Sequence, residues 1–352
     1  MRWLSAIVLA VVLGGDKPLG GDKPAGGDKP AGGDKPLGLS VTQATLLTPG
    51  FHHLHLNSIN PEAAIDFYTK QFPTTSKGTF AGQPALRSPN NVWVLFNKVA
   101  APPATQPQTA FWHFGWHVTD VHKSMQIFTD RGVTLLPLYV EQAGGTVFTS
   151  ADTWPGSGGA LGLTKAGIAD AKAKGVKPTF GAGFAYMRGP DDALVEYQGN
   201  QPAERFNHVH IFQDQPFCAQ IWYQTHLNIP VHQAANQPVR TADNCKVERG
   251  PDKTWPALDH GGMYRTPGVT ITVFGDVSIF WYMNQGDTPT GPTRGHLMDH
   301  MALSVPDLDA WVTKLRAEGV TFLEQPYKVG VYRAVMIEGP SREAIELIEI
   351  RP

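Results

Sequence analysis

Short apolar strands that carry a histidine recur along the chain, and an amphipathic helix follows each of them. The four histidine strands span residues 51–56, 111–116, 206–211 and 298–303. After the first strand, Ile65, Tyr68 and Phe72 share one face of a helix. Alternating strands then close each unit. The pattern predicts four modules, and they span about 50–100, 109–200, 204–285 and 296–352.

Two glutamates add carboxylates to the recurring histidines. Glu196 lies in an apolar strand at 193–197, and Glu346 lies in a similar strand at 344–348. Strand alternation places Glu346 on a face with Ala344 and Ile348, and Glu196 on a face with Leu194 and Gln198. If that face lines a barrel, an unpaired carboxylate there is costly. Two histidines and one carboxylate are therefore present twice, and this donor set is typical of non-haem iron(II) and related divalent metals.

Unequal spacing between matching residues of the two halves locates two insertions. One lies around 139–180 and the other around 230–268. Both exceed the usual length of a connection, so they are candidate lids or specificity loops.

Composition favours a small-molecule partner. The chain has 352 residues, long enough for two domains, with 29 basic and 31 acidic side chains. A net charge near zero gives no reason to expect nucleic acid or an anionic membrane as a partner.

The first residues predict export from the cytoplasm. Arg2 precedes an apolar run at 3–13, which is too short to cross a bilayer, so 1–15 is a signal peptide or an uncleaved N-terminal anchor. Gly-Gly-Asp-Lys-Pro repeats follow, and we expect a disordered linker over 16–49, either a tether or a neutral repeat expansion. The expected location is secreted or periplasmic, with no membrane span in the mature protein.

Cys218 and Cys245 are the only cysteines. An oxidising compartment permits a disulfide between them, so we expect that they either pair or are both free, with no intermolecular link.

The second and fourth modules resemble a known family. Their segments WHFGWHVTDVHKSMQIFTDRGV and MDHMALSVPDLDAWVTKLRAEGV are similar to the vicinal oxygen chelate superfamily, which contains glyoxalases, bleomycin-resistance proteins and extradiol dioxygenases. The likeness covers nearly everything from residue 50 onward. It implies an α+β fold in which four βαβββ modules pair into two half-open eight-stranded barrels. The expected domains are 50–203 and 204–352, each built from two consecutive modules.

The resemblance also implies two sets of metal ligands, one per domain. The sets are His53, His113 and Glu196 in the first domain, and His208, His300 and Glu346 in the second. This distribution is similar to that of extradiol dioxygenases. The four-ligand glyoxalase arrangement would place another ligand at Leu95, which cannot bind a metal, and this counts against a glyoxalase-type reaction.

Three further residues are candidates for catalysis. Tyr186 stands ten residues before Glu196, the interval at which similar extradiol enzymes have a tyrosine that hydrogen-bonds a substrate oxygen; Met336 occupies the equivalent position in the second half. His117 and His210 share a strand face with the ligand candidates, so they could move protons, or they could simply line the barrel.

The leading hypothesis is therefore a metal-dependent enzyme that resembles extradiol ring-cleaving dioxygenases and acts on a small aromatic or vicinal-diol substrate. Its cofactor would be a divalent metal, iron(II) in the first place, with manganese, zinc or nickel as alternatives. A bleomycin-resistance-like binding protein and a glyoxalase-type or isomerase-type metal enzyme are the other hypotheses. No motif names the substrate.

Overall fold

The computed structural model describes residues 46–138, 148–152, 170, 173–176, 183–230, 238–248, 269–284 and 286–351. The expected export signal, nearly all of the expected linker and most of both insertions lie outside the described residues. The last residues of the expected linker belong to the folded part instead, since the carbonyl of Leu46 accepts a hydrogen bond from Asn228 Nδ2 at 3.0 Å. Among the described residues, no helix is both long and apolar enough to span a membrane.

The elements follow the predicted order of strand, helix and further strands in each module. The helices are α1 (Pro61–Gln71), α2 (Val121–Asp130), α3 (Pro216–Leu227) and α4 (Leu308–Ala317). Module 1 contains β1 (Gly50–Ser58), β2 (Ser76–Phe80), β3 (Gln83–Arg87) and β4 (Trp93–Lys98). Module 2 contains β5 (Phe111–His117), β6 (Leu135–Leu136), β7 (Phe184–Arg188) and β8 (Leu194–Gln198). Module 3 contains β9 (Arg205–Gln213), β10 (Val269–Phe274) and β11 (Val277–Met283). Module 4 contains β12 (Met298–Val305), β13 (Phe322–Val329), β14 (Tyr332–Glu338) and β15 (Ala344–Glu349).

Three of the helices begin at side-chain caps. The carboxylate or amide oxygens of Asn60, Asp120 and Asp307 each accept a hydrogen bond from a backbone N–H in the first turn. Gly132 and Gly319, just past the ends of α2 and α4, have φ angles of 76° and 73°, a conformation that glycine adopts without strain.

The strands form two sheets, and the modules pair in an order that the sequence did not predict. Barrel A is an eight-stranded sheet with the order β13-β14-β15-β12-β1-β4-β3-β2. Barrel B is a seven-stranded sheet, within the described residues, with the order β10-β11-β9-β5-β8-β7-β6. Module 1 therefore pairs with module 4, and module 2 with module 3.

This pairing corrects the predicted domains 50–203 and 204–352. The short connection between β8 and β9 keeps modules 2 and 3 in one sheet, where β9 runs antiparallel to β5. Module 1 is left without a neighbour in sequence, and its β1 pairs antiparallel with β12 of module 4. The α+β class and the paired half-open barrels are confirmed, but each barrel is built differently.

The two barrels share a hydrophobic core that lies outside their interiors. Leu54 and Leu56 of β1 point into this core together with buried residues of barrel B. At its centre Phe72, directly after α1, stacks on Trp116 of β5, with ring centroids 4.3 Å apart and an interplanar angle of 7°. Because the end of a helix of barrel A packs on a strand of barrel B, each barrel covers apolar surface of the other.

Aromatic stacking brings the outer hairpins of barrel A together. Phe80 at the end of β2 stacks on Tyr332 at the start of β14, with centroids 4.9 Å apart. The sheet therefore curves until the hairpins at its two ends meet at this point.

Cys218 and Cys245 form a disulfide that joins α3 to the segment at 238–248, so the pairing alternative is confirmed.

We predict that neither half of the sequence folds alone. A fragment 46–203 lacks the partners of β1 and β5, and a fragment 204–352 lacks those of β9 and β12, so each exposes the central edge of an unfinished sheet. Circular dichroism should show no cooperative thermal transition for either fragment, whereas co-expression should restore the transition of chain 46–352. Cooperative unfolding of an isolated half would contradict the module pairing.

Candidate metal centres

Two buried clusters of metal-binding side chains lie inside the barrels, one in each. The cluster in barrel B, centre B, contains His113, His208, His210 and Glu196. The cluster in barrel A, centre A, contains His53, His55 and His300, and Glu346 lies beside it. The structure thus brings all six predicted ligands into two groups, but it exchanges one histidine between them.

The exchange follows from the pairing of the modules. His53 was expected with His113, yet β1 carries it into barrel A, where its Nε2 lies 3.6 Å from Glu346 Oε1. His208 was expected with His300, yet β9 carries it into barrel B, where its Nε2 lies 3.6 Å from Glu196 Oε1. The structure therefore groups the six predicted residues differently from the two predicted sets, by this one exchange, and their role as metal ligands stays a prediction.

Centre B surrounds the carboxylate of Glu196. His113 Nε2 lies 3.0 Å from Glu196 Oε2, and His210 Nδ1 lies 4.0 Å from the same oxygen. The candidate ligand atoms of the four residues, His208 included, all fall within 4.8 Å of one another. A single ion bound at about 2.1 Å from each atom would satisfy such a spacing.

Centre A has the same arrangement of side chains, but its glutamate carboxylate lies farther from the equivalent histidine. His300 Nε2 lies 4.0 Å from Glu346 Oε2. The rings of His55 and His300 lie close together, with centroids 4.5 Å apart. The ligand atoms of the three histidines lie within 4.8 Å of one another. His55 occupies the place that His210 occupies in centre B.

Strand register makes the two centres equivalent residue by residue. In barrel B, His113 pairs with His210, and Gly115 lies between His208 and Glu196 on the neighbouring strands. In barrel A the corresponding pairs are His300 with His55, and Ala302 with His53 and Glu346. Each centre therefore straddles the antiparallel contact between the first strands of two modules.

Gly115 makes room for His208. A Cβ atom added at Gly115 would lie 2.5 Å from His208 Nε2 and 2.6 Å from the carbonyl oxygen of Glu196. No side chain fits there while the imidazole keeps its position. A glycine in the middle of an apolar strand is a signal of close approach that was visible in the sequence, and our sequence analysis missed it.

Four β-bulges turn a further side chain toward a ligand histidine. In each bulge the residue just before the histidine is skipped in the pairing register, which redirects its side chain. The four bulge residues are His52, Trp112, Asn207 and Asp299. These positions were also missed, because a bulge depends on the partner strand.

Two of the bulge residues fix the orientation of the imidazole that follows. His300 Nδ1 donates to Asp299 Oδ1 at 2.7 Å, and His208 Nδ1 donates to Asn207 Oδ1 at 2.9 Å. Since a carboxylate or amide oxygen only accepts, the proton lies on Nδ1 and the lone pair lies on Nε2. Such a partner on the second nitrogen is typical of metal-binding histidines.

Several buried candidate ligand atoms have no hydrogen-bond partner among the described residues. This holds for Nε2 of His208 and His300, for Nδ1 of His210 and for Oε1 of Glu346, all of which are buried. Buried polar atoms without partners are costly. A cation at each centre would satisfy them, so the residues present fit a divalent metal.

Burial keeps His208, His55 and His113 neutral. It lowers the pKa of His208 to about 3 and that of His55 to about 3, and it lowers the pKa of His113 well below the usual value. The same effect raises the pKa of Glu196 and of Glu346, although neighbouring histidines oppose the rise. Neutral imidazoles are the form that binds metals.

In each centre a tyrosine hydroxyl hydrogen-bonds to the glutamate carboxylate. Tyr186 pairs in register with Glu196 and hydrogen-bonds to its side chain. In barrel A, Met336 holds the register position opposite Glu346, as expected, but Tyr327 of β13 reaches the carboxylate, and its Oη lies 2.5 Å from Oε2. The role of Tyr186 toward a substrate oxygen stays a prediction. Tyr327 was missed because it lies one strand farther away.

The two acid–base candidates end up in different places. His210 lies inside centre B as a potential fourth ligand. His117 lies at the end of β5, outside the cluster, where it is half-buried and hydrogen-bonded to Gln198. Burial lowers its pKa to about 4, and the positive charge of Arg205 adds to the effect.

Aromatic side chains cover one side of centre B. Phe280 and Tyr282 of β11 lie 4.6 and 5.1 Å from the His210 ring, between centroids. Trp112 lies 5.3 Å from Tyr282 and 4.9 Å from Phe212. The centre thus adjoins a surface suited to a flat aromatic ring.

We predict that Gly115→Ala weakens metal binding at centre B by at least about tenfold, because the added methyl group displaces the imidazole of His208. Metal titration followed by elemental analysis measures this. The matched control is Ala302→Gly at the equivalent position of centre A, which removes a methyl group and should leave both affinities near wild type. Wild-type metal affinity in a folded Gly115→Ala protein would refute the assignment of His208.

Comparisons with known proteins agree with this architecture. Residues 205–347 match the sequence profile described as Glyoxalase/Bleomycin resistance protein/Dioxygenase superfamily. No curated protein matches the chain. Among solved structures, the fold is similar to glyoxalase I from Zea mays, with a TM-score of 0.53 and 14% identity over 86% of this chain and 92% of that one. A mutant of the same Zea mays enzyme gives a TM-score of 0.54, with 15% identity over 86% and 92% of the two chains.

At this identity the structural similarity establishes the fold alone. The profile match lies in modules 3 and 4, and the fold match extends over 86% of the chain. Together with the duplicated histidine and glutamate clusters, these findings support the resemblance to the glyoxalase/bleomycin resistance protein/dioxygenase superfamily, also called the vicinal oxygen chelate superfamily, whose family model matches modules 3 and 4.

Proposed function

We propose that the protein is a divalent-metal-dependent enzyme that resembles extradiol dioxygenases and acts on a small aromatic diol at centre B. The observation that carries this proposal is the set of buried ligand atoms without partners around Glu196, next to an aromatic surface. Three neutral imidazoles and one carboxylate suit iron(II), with manganese, zinc or nickel as alternatives.

The protein would hold the metal through His113, His208 and Glu196, and His210 is a fourth candidate ligand. When bound, iron(II) would supply open coordination positions for a chelating diol and for oxygen. The chain's own contribution is orientation. Asn207 holds the His208 ring, Gly115 gives it space, and the Tyr186 hydroxyl holds the carboxylate of Glu196.

Other residues would handle the substrate. The Trp112 and Phe212 rings stack on each other at 4.9 Å and 20°, with Tyr282 edge-on to Trp112, and this aromatic layer offers apolar contacts to an aromatic substrate. His117 lies four residues along β5 from His113 and outside the cluster, so its acid–base role would require a substrate that extends from centre B along this strand. Tyr186 would also be within reach of a substrate oxygen bound beside Glu196.

We also propose that the protein is exported to the periplasm or the medium. The apolar run at 3–13 supports this, and so does the Cys218–Cys245 disulfide, because disulfides persist in oxidising compartments.

The test combines metal content with turnover. We expect the double variant His113→Ala with Glu196→Gln to lose the metal of centre B and at least about 100-fold of the oxygen uptake with a catechol, since two of the protein ligands are gone. The equivalent centre A variant, His300→Ala with Glu346→Gln, should lose its own metal and keep this turnover. His122→Gln, on the exposed face of α2, is the matched control.

The outcomes separate the hypotheses. Full metal content and full oxygen uptake in both double variants would overturn the proposal. Tight metal binding without oxygen uptake would favour an isomerase-type reaction of the superfamily, and purified protein that binds no metal would favour a binding module.

A further inference from the structure

The side chains next to the histidines and glutamate differ between the two centres. Two residues along β9 from His210, barrel B has Phe212, which is paired with Tyr282 of β11. The same register positions in barrel A are Asn57 of β1 and Asn97 of β4. The aromatic layer of centre B is therefore replaced by amides at centre A.

The bulge residues differ in the same direction. Trp112 precedes His113 in barrel B, and Asp299 precedes His300 at the equivalent bulge in barrel A. The Trp112 ring packs on Phe212 and Tyr282 at 4.9 and 5.3 Å between centroids. All three equivalent positions thus change from aromatic to polar between the centres.

A cavity of about 640 Å³ opens at the polar layer of barrel A. Its lining includes Asn57, Asn97, Arg294, Asp299, Glu324 and Arg342. Asp299 separates the cavity from the ring of His300, to which it is hydrogen-bonded at 2.7 Å. The cavity therefore begins where centre A ends.

The acidic groups of this cavity are already engaged. Asp299 Oδ1 accepts from His300 and from Arg294 Nε at 2.8 Å, and its Oδ2 accepts from the backbone N–H of Gly295 at 2.7 Å. Glu324 accepts from Arg294 Nη1 at 2.5 Å. Neither carboxylate is placed to attract a second cation.

Arg342 is the cationic group of the cavity lining that remains available. Its side chain is 56% exposed, and the carboxylate oxygen with which it pairs, on Glu338, lies 3.7 Å from its Nε. A guanidinium group prefers a planar or tetrahedral oxyanion, which it binds through two parallel hydrogen bonds. Asn97 Nδ2 donates to Asn57 Oδ1 at 3.1 Å and has a second hydrogen for a ligand, whereas Asn57 Nδ2 already donates to the carbonyl of His296 and to Asp299 Oδ2.

We propose that the cavity beside centre A is a second, separate ligand site, which binds a small organic oxyanion, a carboxylate or a phosphate ester, through Arg342. Centre B receives the aromatic substrate, and the two centres do not share ligands. The proposal rests on the proposed function for the presence of the metals, while the cavity itself does not depend on them.

The experiment titrates zinc-loaded and chelator-treated full-length protein with glycolate, methyl phosphate and uncharged ethylene glycol at physiological salt. One equivalent of glycolate or methyl phosphate should bind, and ethylene glycol should not. The stronger of the two anions identifies the class. Arg342→Ala should weaken this binding at least about tenfold, whereas Arg351→Ala, another exposed arginine, should leave it unchanged.

A second variant tests the polar layer of barrel A directly. Asn97→Tyr introduces the residue that barrel B has at this position, so it should obstruct the part of the cavity beside Asn57 and weaken anion binding while catechol binding stays unchanged. Both Asn97 and Arg342 are exposed, and thermal unfolding checks that the variants fold.

The results overturn or support the cavity independently of the metals. If neither anion binds, or if Arg342→Ala and Asn97→Tyr bind the anions as wild type does, the inference is wrong, even when both centres hold metal. If the loaded protein contains no metal, the proposed function fails; anion binding that still depends on Arg342 would then uphold the cavity.

Discussion

The antiparallel contact between the first strands of two modules is the constraint on which the rest of the structure depends. It occurs once in each barrel, between β1 and β12 and between β5 and β9. A first strand carries only one or two of the ligand histidines, so neither centre exists until two modules meet. The parallel strand beside this contact then supplies the glutamate. The pairing of two modules during folding therefore also assembles each candidate centre.

That constraint explains what could be read from the sequence and what could not. Periodicity and caps located the helices and most strands, because these depend on neighbouring residues. The ligand residue types were also evident, since Glu196 and Glu346 stand in apolar strands where an unpaired carboxylate is costly. The exchange of His53 and His208 was not accessible, because the choice of partner strand depends on contacts between modules far apart in the chain.

The bulge residues and Tyr327 could not be predicted from the sequence for the same reason, because their contacts depend on how distant strands pair. Asp299 looks like an ordinary polar residue in a strand until pairing skips it and turns it toward His300. Tyr327 reaches Glu346 from β13, which is separated from the strand of Glu346 by β14 in the sheet. Gly115 is different, since a glycine inside a short apolar strand already signalled a close approach.

Duplication with divergence accounts for the chemistry of the two barrels. The strand register preserves three histidines and a glutamate at equivalent positions in both. The surrounding layer has diverged, from aromatic rings at centre B to amides and charges at centre A. Ligand geometry is held by backbone pairing, whereas the adjoining surface can change one side chain at a time. Under the proposed function, one scaffold would hold two similar ions and present them to different molecules.

The most direct test of this account is the position of the metals in crystals soaked with a divalent ion and measured by anomalous diffraction. The account predicts two peaks per chain, each about 2.1 Å from its ligand atoms. One peak should lie among His113, His208 and Glu196, and the other among His53, His300 and Glu346. A peak that joins His53 to His113, or the absence of any peak at these histidines, would contradict it.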